Sequence, residues 1–116
     1  MTEAIAEVEE KIPDLPIKRG TGVNAVIEGW LEAADGYSAN VASGNYSHAE
    51  GVNTTASGKY SHAEGISTAA TGIYSHSEGF STKATEGGAH AEGYGTTAAG
   101  LGSHAEGAHT LATRRS

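Results

Sequence analysis

A 14-residue repeat is the feature that most constrains how this chain can fold. The pentapeptide Ser-His-Ala-Glu-Gly, or a close variant of it, begins at residues 47, 61, 75, 89 and 103. The histidines of successive copies are therefore always 14 residues apart. A fixed period of this kind indicates a repeat architecture, in which each unit stacks on its neighbours and is not stable alone.

Further columns keep the same period between the copies of the pentapeptide. One column is threonine and consists of Thr54, Thr68, Thr82, Thr96 and Thr110. Another is alanine and consists of Ala42, Ala56, Ala70, Ala84, Ala98 and Ala112. A third is apolar and consists of Val52, Ile66, Phe80, Tyr94 and Ala108. Because a flexible Ser/Gly-rich linker does not need an apolar residue at a fixed phase, these columns favour a folded solenoid.

The length of the repeat selects the kind of solenoid. Helical solenoid units begin at about 20 residues and run past 30, so 14 residues are too few for them. Fourteen residues do fit one turn of a β-solenoid, in which two short strands are joined by tight corners. Within the pentapeptide the side chains alternate, so His and Glu share one face of the strand and Ser and Ala the other. The sequence therefore predicts an all-β roll.

Glycines close every copy of the pentapeptide, and we expect them at the corners of the roll. Corners need backbone conformations with positive φ, which glycine reaches without steric cost. The predicted corner glycines are Gly51, Gly65, Gly79, Gly93 and Gly107.

Composition limits how stable a single roll can be and what it can bind. Only 37% of the residues are hydrophobic and 6% aromatic, so one roll buries little bulky apolar area and should depend on association. Asp and Glu together number 14 against 7 Lys and Arg, which argues against nucleic acid as a partner. No apolar run is long enough to cross a bilayer, and the acidic N-terminus does not have the features of a secretory signal.

Three regions are predicted along the chain. Residues 1–22 form a short helix followed by an extended linker, because Ile5, Val8 and Ile12 have a/d-like spacing and Pro13 ends the helix. This helix either ends a longer coiled coil or packs alone against the roll. Residues 23–44 form an irregular capping turn, and residues 45–116 form the five-repeat roll.

The pattern resembles the head repeats of trimeric autotransporter adhesins, whose unit of the same length carries a word of the type Ser-Val-Ala-Ile-Gly. With Thr-x-Ala-x-Gly between the copies, it resembles even more closely the repeat arrays of phage and prophage tail-fibre or tail-spike proteins. The resemblance covers roughly residues 23–113 and implies a left-handed parallel β-roll, assembled as a parallel homotrimer. At two columns His and Glu stand in place of Val and Ile, so a hydrophobic interior on that face is not implied.

The resemblance also implies a function. It indicates a non-enzymatic structural and attachment segment of a trimeric fibre, which spaces and displays a host-binding region. The fibre would belong to a virion tail or to a bacterial surface. Its partners would be two further copies of the chain, neighbouring fibre segments and a host cell-surface glycan or protein, without a cofactor and without membrane insertion.

The His and Glu columns are the chemically loaded feature of the sequence. Catalysis needs one asymmetric constellation, and a ladder of identical residues does not provide it. A hydrogen-bonded network is the preferred interpretation, with each His donating to a Glu of its own or a neighbouring chain. Binding of a metal is the alternative, and no metal ligand is assigned. The predicted network consists of His48, Glu50, His62, Glu64, His76, Glu78, His90, Glu92, His104 and Glu106.

Two other columns suggest surfaces for binding. The threonine column suggests an ice-binding face, although one Thr in each turn gives only a single file. A tyrosine column could offer sugars a stacking surface or pack at the rim of the roll, and it becomes glycine at positions 88 and 102. Its aromatic members are Tyr46, Tyr60 and Tyr74.

Overall fold

A computed structural model describes residues 17–29 and 39–114 of the chain. Within these ranges all regular secondary structure is β, and no helix occurs. The helix predicted within residues 3–12 lies outside the described residues, as do residues 30–38 of the predicted capping turn.

The described residues form 13 strands, most of which alternate between a long and a short type. They are β1 (Ile17–Arg19), β2 (Val26–Gly29), β3 (Val41–Ala42), β4 (His48–Val52), β5 (Thr55–Ala56), β6 (His62–Ile66), β7 (Ala69–Ala70), β8 (His76–Phe80), β9 (Lys83–Ala84), β10 (His90–Tyr94), β11 (Thr97–Ala98), β12 (His104–Ala105) and β13 (Leu111–Ala112). One sheet has seven strands in the order β1-β2-β4-β6-β8-β10-β12, and the other has six, β13-β11-β9-β7-β5-β3.

Successive turns stack with equivalent residues directly beside each other. In the seven-stranded sheet, β4 pairs in parallel with β6, so that His48 faces His62 and Glu50 faces Glu64. In the six-stranded sheet, Ala56 of β5 faces Ala70 of β7. The chain is therefore a parallel β-solenoid of about five turns with a spacing of about 14 residues, as the repeat predicts.

The interior of the solenoid is filled by small side chains. Ala49 and Ala63 of the seven-stranded sheet, and Ala56 and Ala70 of the six-stranded sheet, are fully buried. The largest fully buried side chains are those of threonine. Bulky residues do not fit between the two sheets, so large apolar side chains such as Ile66, Phe80 and Tyr94 lie outside.

The N-terminal end of the roll is closed by two features. β1 pairs antiparallel with β2, which covers one edge of the seven-stranded sheet. Asn40 is buried in the position that threonine takes in later turns. Its Oδ1 accepts hydrogen bonds from the Thr54 backbone nitrogen and hydroxyl, both at 2.9 Å. Its Nδ2 donates to the carbonyls of Glu28 and Gly51, at 3.0 and 2.8 Å, so its amide is satisfied without water.

The glycines that close the pentapeptides have φ angles between +101° and +112°. Four of the five are the penultimate residue of a long strand, so they precede the turn that follows it, and they have the positive φ expected of them. They bend the strand from within. A Cβ atom added to Gly65 would lie 2.1 Å from the carbonyl oxygen of Gly79, so the stacking of turns also requires glycine here.

A second column of positive φ completes this bend two residues later. Asn53, Ser67, Ser81 and His109 have φ between +55° and +58°, and Gly95 has +65°. The left-handed conformation of these residues turns the chain from the seven-stranded sheet towards the six-stranded one. Their side chains differ in chemistry, which is why the sequence alone does not mark them as a column.

Candidate functional site

The outer face of the seven-stranded sheet carries the candidate site, in three parallel ladders of side chains. The first ladder is histidine. Because the strands pair in register, the imidazole rings stack with centroids 4.7 to 4.8 Å apart. The rings of His48 and His62 are inclined by only 2° to each other. The ladder consists of His48, His62, His76, His90 and His104.

The second ladder is glutamate, and it pairs with the histidines across the turns. His62 Nε2 lies 2.9 Å from Oε1 of Glu50, and His76 Nε2 lies 3.2 Å from Oε1 of Glu64. In both pairs the carboxylate belongs to the preceding turn of the same chain. In these two pairs the predicted network is thus formed within one chain, and the partner is the glutamate of the turn before.

The pairing loosens around His90. Its Nε2 lies 3.6 Å from Oε1 of Glu78 and 3.7 Å from Oε2 of Glu92, too far for a hydrogen bond to either. This nitrogen is also inaccessible to solvent and has no hydrogen-bond partner. One turn later, His104 Nε2 lies 3.4 Å from Oε1 of Glu92. The C-terminal half of the ladder therefore spaces its imidazoles and carboxylates more widely than the N-terminal half.

Histidine and glutamate side chains here are accessible enough to meet a ligand. The side chains of His62 and Glu50 are 35% and 31% exposed. Four groups of His, Glu and His offer one ligand atom each, with the three atoms of a group within 4.8 Å of one another. The groups join adjacent rungs: His48, Glu50 and His62; His62, Glu64 and His76; His76, Glu78 and His90; and His90, Glu92 and His104.

The third ladder is apolar and runs beside the glutamates. Ile66, Phe80 and Tyr94 are each about 40 to 50% exposed, and the rings of Phe80 and Tyr94 stack with centroids 5.2 Å apart. The sequence shows the column but not its location, since an apolar residue at a fixed phase would normally be assigned to the interior. The interior is already filled by Ala, Ser and Thr.

The tyrosine column lies in the turn before each long strand. The backbone conformation there explains why the column changes from tyrosine to glycine. Tyr46, Tyr60 and Tyr74 have φ of +60°, and Gly88 and Gly102, which follow in the same column, have +69° and +68°. The position requires the left-handed conformation, so glycine takes the place of tyrosine without a change of backbone. The tyrosine rings stack on one another at 5.2 to 5.3 Å.

The threonine column does not form a surface. Thr54, Thr82 and Thr96 are completely buried, and Thr68 is 1% exposed. An ice-binding face needs threonine side chains in contact with solvent. The suggestion that this column binds ice is therefore wrong, because these four side chains point into the roll.

Comparison with known proteins adds no relative from which a function could be transferred. No family model, no curated protein and no solved structure matches the chain. Among residues 17–29 and 39–114 there is no helix that could cross a membrane.

Proposed function

We propose that the chain is a structural and attachment segment of a trimeric fibre, in which the roll spaces and displays a host-binding region. The fibre belongs to a phage tail or to a bacterial surface, and three copies pack in parallel as left-handed rolls. The apolar ladder on the outside of the seven-stranded sheet is the observation that carries the proposal.

The apolar ladder favours association because its side chains find no cover within the described part of the chain. Phe80 is 41% exposed and Tyr94 52%, in one continuous file along the roll. A contiguous exposed apolar surface of this kind usually marks an interface. Burial of such side chains contributes roughly 25 cal/mol per Å². The small interior of the roll provides little of that energy on its own.

A second copy of the chain is the partner whose turns have the same spacing as the turns of this roll. The rungs repeat every 4.8 Å, as the histidine rings show, and only a partner with the same rise can contact every rung along the file. Parallel alignment places identical rungs at one level. The resemblance of the repeat to trimeric fibre proteins supports three copies, with the His, Glu and apolar ladders facing the axis.

Sedimentation equilibrium tests the assembly. We expect a mass of three times 11.7 kDa for the parent. Phe80→Lys should dissociate the trimer, because it places a charge within the apolar ladder. Ile73→Lys is the matched control, since Ile73 is also about half exposed but lies in a turn where the equivalent residue is already Lys59. A parent that sediments as a folded monomer, or equal effects of both variants, would contradict the proposal.

Direct binding of a host glycan through the tyrosine ladder is the second candidate function. The ladder ends at Tyr74, because the next residue in the column is Gly88. Tyr74 is the most exposed tyrosine of the three, at 68%, and one face of its ring has no further ring stacked on it. Aromatic faces of this kind bind the apolar faces of sugars.

Titration with soluble oligosaccharides, followed by backbone amide chemical shifts, tests this second function. We expect shifts around Tyr74 and Gly88, and their loss in Tyr74→Asn, since Asn accepts the left-handed conformation. Shifts that persist in this variant would place the sugar elsewhere.

A further inference from the structure

We propose that the His/Glu face binds divalent transition-metal ions such as Zn²⁺, with two histidines and one glutamate for each ion. All three ligands of a site come from one chain, so the inference does not rest on the assembly of a trimer. The ligands are the four groups of His, Glu and His that join adjacent rungs.

The surroundings of His90 point to a metal and not to a shared proton. Its Nε2 lies 3.6 and 3.7 Å from the carboxylate oxygens of Glu78 and Glu92, and it has no hydrogen-bond partner. A tetrahedral Zn²⁺ ion with bonds of about 2.1 Å holds its ligand atoms about 3.4 Å apart. A nitrogen and oxygens at these distances are therefore closer to the spacing of metal ligands than to that of a hydrogen bond.

The donor set selects the class of metal. Neutral imidazole nitrogens suit Zn²⁺, Cu²⁺ and Ni²⁺, whereas Ca²⁺ and Mg²⁺ prefer sites made of oxygen alone. A group such as His76, Glu78 and His90 offers two nitrogens and one oxygen, which leaves a fourth tetrahedral position for water. The partly exposed side chains can close on the ion by rotation about their torsions, without movement of the strands.

The stacked ladder also fixes how many ions can bind. Adjacent groups share a histidine, and one imidazole presents a single Nε2 lone pair to this face. Two groups that share a histidine cannot both be filled. The five histidines in a row therefore hold at most two ions in each chain, and one histidine is left over.

Because neighbouring groups share a histidine, replacing different histidines of the ladder should change the number of bound ions by different amounts. Without His76, the pairs His48 with His62 and His90 with His104 remain, so two ions still bind. Without His62, His48 is isolated and the other three histidines hold one ion. Without His90, His104 is isolated and again one ion remains.

The experiment is equilibrium dialysis of the parent chain and of its variants against ZnCl₂, with bound zinc measured by atomic emission. We expect two ions per chain in the parent and in His76→Asn, but one in His62→Asn and in His90→Asn. His109→Asn is the matched control and should retain two, because His109 lies outside the four groups and its φ of +55° suits asparagine.

The three ladder variants make the same change at equivalent positions, so a loss of folding would affect them alike. Titration of the parent with CoCl₂ gives a measurement that needs no variant. We expect the visible absorption of four-coordinate Co²⁺ to rise and to level off at two equivalents per chain. A parent that binds no ion, or an equal loss in all three ladder variants, would overturn the proposal.

Discussion

The Nε2 atom of His62 lies 2.9 Å from Oε1 of Glu50, a residue 12 positions earlier in the chain and one rung away. The glutamate of its own pentapeptide, Glu64, instead accepts from His76 of the next turn, at 3.2 Å. Each of these pairs therefore connects two turns. These hydrogen bonds hold successive turns of the roll together. Loss of one pair should therefore weaken the contact between the two turns that it joins.

Double-mutant cycles should locate the interaction of His62 between the turns. We expect a coupling free energy of about 0.5 kcal/mol between His62→Ala and Glu50→Ala, because each side chain is about one third exposed and solvent screens the pair. The cycle of His62→Ala with Glu64→Ala should give a clearly smaller value. Urea denaturation measures both, and equal couplings would show that the pairing is not directed to the preceding turn.

The fold could be predicted from the sequence because its period is repeated in every column. Alternation within the pentapeptide assigns Ala63 to the interior and His62 to the outside, and both residues lie there. The same alternation places Ile66 on the outer face with His62 and Glu64. The φ of +108° at Gly65 bends the strand without changing this side. Ile66 therefore lies outside, although its apolar side chain would suggest the core.

Other parts of the site could not be read from the sequence. The partner of each histidine depends on which way the side chains lean between rungs, and a single turn of sequence does not contain that information. The residues with positive φ could not be recognised in the sequence for another reason. Tyr60 and Ser67 have φ of +60° and +57°, although neither residue type favours that region.

Substitution of Gly65 should test the close approach of successive turns. Gly65→Ala should lower the free energy of unfolding by about 3 kcal/mol or more, because it combines strained φ with a backbone overlap at 2.1 Å. Gly87→Ala is the control. Its Cβ would meet the flexible end of Leu101 at 3.0 Å and the Ile73 carbonyl oxygen at an ordinary 3.8 Å, and should cost less than about 1 kcal/mol. Similar costs for both would refute this explanation of the glycine column.

The left-handed residues offer a route to higher stability. Ser81 is exposed and has φ of +58°, a conformation that costs most residues about 1–2 kcal/mol and that asparagine tolerates better. Ser81→Asn should therefore raise the free energy of unfolding by about 0.5 kcal/mol. Ser57→Asn, at an exposed position without positive φ, should change it little. If both variants gain equally in thermal denaturation, backbone conformation is not the cause.

The buried threonines provide a matched pair that tests the polar interior. The hydroxyl of Thr82 lies 2.7 Å from that of Ser77 and donates to the carbonyl of Glu78 at 3.2 Å. The hydroxyl of Thr68, in the same column, is buried without a hydrogen-bond partner. Valine has nearly the same shape as threonine, so replacement changes the hydrogen bonds and leaves the packing almost intact.

Thr82→Val should therefore cost about 1–3 kcal/mol, because it removes a bonded hydroxyl and leaves buried partners unsatisfied. Thr68→Val should be neutral or stabilising, since it removes a buried polar group that gains nothing from its surroundings. Urea denaturation of both variants under the same conditions measures the difference. If Thr68→Val is as destabilising as Thr82→Val, the Thr68 hydroxyl has a partner in solution, for which a buried water is the simplest source.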